Sequence, residues 1–144
     1  LFNDRPVQEE DIRSPEVAAV VSYTAKIPGV RAWLLERQRE CADLGIIIME
    51  GRDIGTVIFP EAKYKFFVTA SPLERARRRM AQPGEVADGV TLEEVAAQIA
   101  ERDRIDSTRA VAPLKPASDA VVVMTDGINQ EQVADKILEL AKLK

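Results

Sequence analysis

Ile46-Ile47-Ile48-Met49-Glu50-Gly51-Arg52-Asp53-Ile54-Gly55-Thr56-Val57-Ile58-Phe59-Pro60 (46–60) decides how this chain is read. The branched apolar run between Gly45 and Gly51 predicts a strand buried on both faces, the pattern of a parallel sheet. It ends directly in Glu50, Gly51, Arg52 and Asp53, and ligands of open α/β sheets bind beyond the carboxyl ends of the strands. Two further runs have the same character, YKFFVTA (64–70) and AVVVMT (120–125), and each is followed by a helical segment, from Ser71 and from Ile128. Strands alternating with helices predict a doubly wound parallel α/β sheet. Three strands make a thin sheet, and the sequence opens at Leu1 without a methionine, so an N-terminal βα unit is expected to be absent from it.

Outward from this stretch, Ser14-Pro15 with Glu16 predicts a helix over about 15–25. Ile27-Pro28-Gly29 breaks it, and Val30, Trp33, Leu34 and residues 37 to 41 recur at helical spacing in an amphipathic helix ending near Leu44-Gly45. The two are expected to form a hairpin. Ser71-Pro72-Leu73-Glu74 is a helix entry with Ser as N-cap, Pro at N1 and Glu at N3. A Pro/Gly loop (82–90) follows and is expected to be mobile, a lid. A long helix is predicted from about Thr91 to Ser107, and the proline-marked loop 112–119 leads into the last strand.

The sequence has 144 residues, 46% hydrophobic and 31% charged, which fits one globular domain and excludes a disordered or fibrous chain. One cysteine, Cys41, and no histidine exclude an internal disulfide, Cys/His zinc sites and Ser-His-Asp or Cys-His nucleophiles within these residues. Catalysis here must use carboxylates, arginines, lysines and backbone. The run 46–49 is far short of the roughly 20 residues of a membrane span. No charged-then-apolar leader is read at the start, and a reducing cytoplasm is the expected setting. A net charge of -4 argues against a basic nucleic-acid binder. Positive charge is nonetheless concentrated in two patches, Arg75, Arg77, Arg78 and Arg79, and Arg102, Arg104 and Arg109.

Three constellations carry possible chemistry. In the first, Glu50 suits a Mg²⁺-water shell, Arg52 offers a bidentate fork to a phosphate, and Gly51 and Gly55 permit close approach of a ligand. A local salt-bridged turn, Arg52 with Asp53 or Glu50, fits the same residues equally well. In the second, Arg75 and Arg79 share a helix face with Arg78 beside them, either neutralised by acids on neighbouring helices or held for phosphate oxygens. In the third, Arg102, Asp106 and Arg109 fall along one helix face, suited to a sugar hydroxyl plus a phosphate, and equally to a structural ion-pair ladder. Ser22 and Arg31 are individually bland.

Taken in order, IRSPEVAAVVS with IPGVR, EGRDIGTVIFPEA, SPLERARRRM and ERDRIDSTRAVAPLKPASDA resemble the bacterial cytidylate kinases, the CMP kinase branch of the nucleoside monophosphate kinases, over nearly all of residues 12–144. The resemblance implies a P-loop NTPase-type fold and transfer of the γ-phosphate of ATP to CMP or dCMP, giving CDP or dCDP and ADP, with Mg²⁺ bridging the ATP phosphates. It implies a single incomplete kinase domain over 1–144, with about 1–44 in the NMP-binding region and a core helix, and about 45–144 forming the core with a lid near 75–109. By position, Ser22, Arg31 and Asp53 would recognise cytosine, Arg102 and Asp106 the sugar, and Arg52 and Arg109 the acceptor phosphate. Arg75, Arg78 and Arg79 would stand at the root of the lid over ATP, and Glu50 would take the place of a Walker-B-like acid acting on the metal through water.

Cytosine offers N3 and O2 as acceptors and N4 as a donor, so an Arg, a Ser and an Asp can satisfy its edge together. The expected partners are CMP or dCMP and ATP, with no nucleic acid and no membrane, acting on a monomer. One departure is large: G-x-x-x-x-G-K-[ST] occurs nowhere in these residues. These residues alone are therefore expected to be inactive or nearly so. Ile105 is a lesser departure, expected to alter ion pairs on the lid side. The alternative is a non-catalytic nucleotide- or RNA-binding module without the P-loop, although the lack of aromatics near the arginines counts against stacking on single strands. A purely structural role for the charged clusters is the third reading.

Overall fold

Ser14 opens the first described helix, α1 (Pro15–Thr24), by accepting the Val17 amide at 3.4 Å, with Pro15 pre-set for the first turn. After Ile27, Pro28 starts α2 (Pro28–Glu40), and a 3₁₀ turn (Cys41–Leu44) closes it before Gly45 at φ 95°. There follow a π-helical turn (Ile54–Ile58), β1 (Phe66–Thr69), α3 (Pro72–Met80), α4 (Leu92–Thr108), β2 (Val121–Met124) and α5 (Gln130–Lys142). The computed structural model describes residues 8, 12, 14–25 and 27–142.

β1 and β2 pair in parallel, Phe66 opposite Val121 through Thr69 opposite Met124, as the V/F-rich runs predict. The helix between them enters as expected: the Ser71 hydroxyl accepts the Glu74 amide at 3.3 Å. Glu74 itself turns to Arg77 and Arg78. Asp126, just past β2, takes the Ser71 amide at 3.1 Å and the Ser71 hydroxyl at 2.5 Å, tying the start of α3 to the end of its neighbouring strand.

The expected third strand does not form. Residues 47–50 belong to no ladder among the described residues, and Ile46 and Ile48 are fully exposed. A strand exists only through hydrogen bonds to a neighbour, and β1 pairs with β2 alone. Each isoleucine left in water forgoes about 1.5–3 kcal/mol of burial. The expected helical hairpin is not the main packing either: α1 leans on α4, and α2 on the π-helical turn. α2 buries no residue, and Trp33 is 56% exposed.

The tightest core lies between α3 and α4 rather than on the sheet. Ala76, Val95 and Ile99 are buried there, covered by Val86, Val90, Leu92 and Ala96. The loop 82–90 thus places two valines on this core, with Gly84 and Gly89 turning it at positive φ. Ile105 is buried on α4.

Thr91 and Glu94 form a reciprocal capping box at the start of α4, each accepting from the other's amide. Thr91→Ala is expected to cost about 1 kcal/mol, read as a lower denaturant midpoint. The Thr91 amide and then its hydroxyl hold the Glu94 carboxyl below the usual range. A depressed carboxyl stabilises the fold above its unfolded pKa and loses that contribution as pH falls through the folded value. The difference between wild type and Glu94→Gln should therefore be full at pH 7 and vanish in strong acid.

Candidate nucleotide site

Arg31 on α2 reaches across to Asp53, with which it makes a close ion pair, and also donates to Ala25 O at 3.3 Å. Asp53 is fixed by its own backbone: its carbonyl accepts the amides of Thr56, Val57 and Ile58, which wind the π-helical turn. From outside, Arg39 donates to Val57 O at 3.0 Å and Ile58 O at 3.2 Å, clamping that turn to α2. The other Asp53 oxygen faces Arg109 Nη2 at 3.7 Å. Arg109 Nη1 lies 3.7 Å from Asp106, and Asp106 accepts from Arg52 Nε at 3.1 Å. The result is one alternating row, Arg31, Asp53, Arg109, Asp106, Arg52, assembled from three parts of the chain.

Two expectations change here. Arg52 does not bridge Asp53 or Glu50 within its turn; its partner is Asp106, 54 residues away. Arg109 does not continue the helix face but caps α4 with extended backbone, φ -63° and ψ 142°, which turns it back to Asp106 while its Nε bonds Ala112 O at 2.7 Å. The glycines also differ from expectation. A Cβ added at Gly51 would meet Ile54, and one at Gly55 would meet Lys65 Cδ at 3.2 Å, so both make room for the chain's own side chains rather than for a ligand.

The row leaves positive charge uncompensated. Arg31, Arg52, Arg102 and Arg109 gather about two buried carboxylates, Asp53 and Asp106. Burial, and after it the charge of Arg52, lowers the Arg102 pKa, with Asp106 opposing and Arg79 and Arg75 adding. Burial, and after it Arg31, likewise lowers that of Arg109. Arg102 Nε and Arg109 Nη2 are buried without a hydrogen-bond partner among the described residues. Buried donors of a charged group are costly to leave unmet, and an anion between them relieves both the desolvation and the repulsion.

Arg102 also lines a cavity of about 410 Å³ with Arg75, Arg78 and Arg79 over an apolar floor that includes Val17, Val21 and Ile99. Each α3 arginine has a partner: Arg75 bonds Asp103, Arg79 faces Glu85 at 3.8 Å on the loop, and Arg77 and Arg78 pair with Glu74. Arg78 further donates to the Thr125 hydroxyl at 3.0 Å and to carbonyls of Thr125 and Ile128. It is thus committed to holding α3 against the end of β2, unlike its two neighbours. Ser22 lies on α1, and its side chain lies outside the described residues.

Glu50 is exposed, and the described residues contain no group of three or more acidic, Cys or His side chains able to hold a metal. One exposed carboxylate is not a magnesium site in itself, since the ion takes its remaining ligands from water and phosphate. The residues present therefore do not form a site for the ion on their own. No helix among the described residues is long and apolar enough to cross a membrane.

Partly buried, under-compensated guanidiniums lie beside a parallel α/β pair, the kind of setting in which open α/β sheets bind ligands. The cytidylate kinase family model matches residues 1–143. The chain belongs to the cytidylate kinase family. It is 50% identical over 128 residues to a cytidylate kinase of Desulforamulus reducens, covering 89% of this chain and 58% of the relative. A cytidylate kinase of Pelotomaculum thermopropionicum is 46% identical over 138 residues, 96% of this chain and 61% of the relative. A bifunctional pantoate ligase/cytidylate kinase of a Synechococcus species is 51% identical over 129 residues, 90% of this chain and 24% of the relative. The chain thus spans about three fifths of the length of the first two relatives and about a quarter of the third.

Proposed function

We propose that this chain carries the acceptor-nucleotide site and the lid of a cytidylate kinase that transfers the γ-phosphate of ATP to CMP or dCMP. The observation that carries the reading is the pair of donors, Arg102 Nε and Arg109 Nη2, buried without a partner among the described residues and set beside Arg52. In this reading Arg52 and Arg109 hold the acceptor phosphate, Arg102 and Asp106 the sugar, and Ser22, Arg31 and Asp53 the cytosine edge. Asp53 retains lone pairs for the cytosine N4 amino group, and Arg31 retains donors for N3 or O2. UMP presents an acceptor at O4 where CMP presents a donor, so the Asp53 carboxylate repels it.

The reaction then needs positioning and charge stabilisation. An oxygen of the acceptor phosphate, held by Arg52 and Arg109, attacks the γ-phosphorus; the bond to the β–γ bridging oxygen breaks, and ADP leaves with that electron pair. Arg75 and Arg79 reach the transferring group from α3 by exchanging Asp103 and Glu85 for phosphate oxygens. Arg78 acts from behind by holding α3 in place. Mg²⁺, with ATP, would supply charge neutralisation on the donor phosphates, and Glu50 would meet it only through water.

The ATP phosphate loop belongs, in this reading, to a βα unit outside these residues, whose strand would lie against 46–50 and the open edge of β1. The full exposure of Ile46 and Ile48 and the half-exposure of Val68 support it. Residues 1–44 then form part of the NMP-binding region with a core helix, and 45–144 the core with a lid near 75–109, in a cytoplasmic monomer.

Titration of the chain with CMP, UMP and a short single-stranded RNA at two salt concentrations tests the site. CMP is expected to bind at least tenfold more tightly than UMP, the discrimination available to a hydrogen-bonding edge. RNA binding that falls steeply with salt, without discrimination between CMP and UMP, would instead establish a non-catalytic RNA-binding module.

A further inference from the structure

We infer that Lys65 is a positioning residue for the base end of the site, gripping the turn that presents Asp53. Lysine is almost never buried unless paired, and Lys65 is 8% exposed. Its ammonium donates to Pro60 O and to both Asp119 oxygens, at 2.9 and 2.7 Å. An ion pair alone does not explain the burial, because the Asp119 side chain is 61% exposed and such pairs contribute little. The path of the stem does. It runs beneath Gly55, where an added Cβ would lie 3.2 Å from Cδ and 3.4 Å from Cγ.

Gly55 is the second residue of the π-helical turn, and Asp53 is the residue that caps it. Pro60, which Lys65 also holds, lies just beyond the turn's other end. The backbone of Lys65 meanwhile accepts the Val121 amide at 3.0 Å, at the first rung of the β1–β2 ladder. Lys65 therefore has its main chain in the sheet and its side chain around the turn. Arg39 grips the same turn from α2. Between them the Asp53 carboxylate is held where Arg31 and Arg109 meet it, and a misplacement of the order of 1 Å at such a point can cost about a hundredfold in binding or rate.

The inference rests on the reading of Asp53 as a base-recognition residue, and two readouts separate them. In Lys65→Met, which keeps the stem and removes the ammonium, the CMP-to-UMP affinity ratio is expected to fall about tenfold. Affinity for inorganic pyrophosphate, bound by Arg75, Arg79 and Arg102 in the cavity away from the turn, should stay within about twofold. Amide exchange at Val57 and Ile58, whose hydrogens bond Asp53 O, should speed up while that of α4 is unchanged.

Faster exchange in a protein whose wild type shows no CMP preference supports the grip and removes the base reading. An unchanged ratio with unchanged exchange at Val57 overturns the inference. A purely structural lysine would lower all affinities together. Gly55→Ala, whose added Cβ would press on the Lys65 stem, carries the test if Lys65→Met fails to fold: the ratio should move in the same direction, and no movement overturns the inference.

Discussion

Arg102→Met is expected to leave the folded chain at least as stable as wild type while weakening CMP binding about ten- to a hundredfold, the worth of hydrogen bonds to a charged ligand. The two signs follow from one environment. Burial and the charges of Arg52, Arg79 and Arg75 hold the Arg102 pKa below its ordinary value, with Asp106 alone opposing among the groups that act on it. A base whose pKa is lower folded than unfolded destabilises the fold wherever it is protonated, which includes neutral pH. Methionine keeps the stem's packing and removes the strain. A structural ion-pair ladder predicts the opposite, a lower unfolding midpoint for Arg102→Met. Thermal unfolding and calorimetric titration of the same samples distinguish the two.

Asp53→Asn should cost both stability and selectivity. The carboxylate answers Arg31 and Arg109, and the Arg109 side chain is only 5% exposed, so neutralising Asp53 leaves a buried cation short of its partner. Removing one member of a buried pair costs about 3 kcal/mol, expected here as a clear drop in the denaturant midpoint. The asparagine amide can donate where the carboxylate only accepts. CMP affinity is therefore expected to fall about tenfold or more while UMP loses less, so that the CMP-to-UMP ratio approaches one. A variant that loses both nucleotides equally would place Asp53 in the scaffold rather than against the base.

Much of this arrangement was legible from residue order because its signals are local. Ser14-Pro15 and Ser71-Pro72 mark helix starts whose caps form as read, and the runs 66–69 and 121–124 form the parallel pair. Helical-spacing ion pairs such as Arg78–Glu74 are likewise visible in spacing. The π-helical turn at 54–58 was not, since it depends on three amides converging on one carbonyl and on clamps from Arg39 and Lys65. Residues 46–50 show why apolar composition does not suffice: the same branched run is a strand only when a neighbour supplies its hydrogen bonds. Long-range partners follow the same rule. Arg52 and Asp106 each stand in a charged string that offers nearer partners, and the fold, not the spacing, joins them.

The same limit applied to the two glycines, legible as places of close approach but not as seats for Ile54 and Lys65. Arg39, exposed on a helix that buries no residue, carried no signal apart from helical periodicity. Its contribution appears only once Val57 O and Ile58 O face it. The α3 arginines divide in a way the string ERARRRM does not show. Arg75 and Arg79 look into the cavity with Arg102, whereas Arg78 is occupied by the end of β2 as well.

The most direct measurement is a crystal structure of the chain with CMP. The cytosine edge is expected against Arg31 and Asp53, the sugar against Arg102 and Asp106 and the phosphate between Arg52 and Arg109, with Arg102 Nε or Arg109 Nη2 gaining an oxygen partner. CMP seated elsewhere, or a saturated solution that leaves those two donors without a ligand, would contradict it.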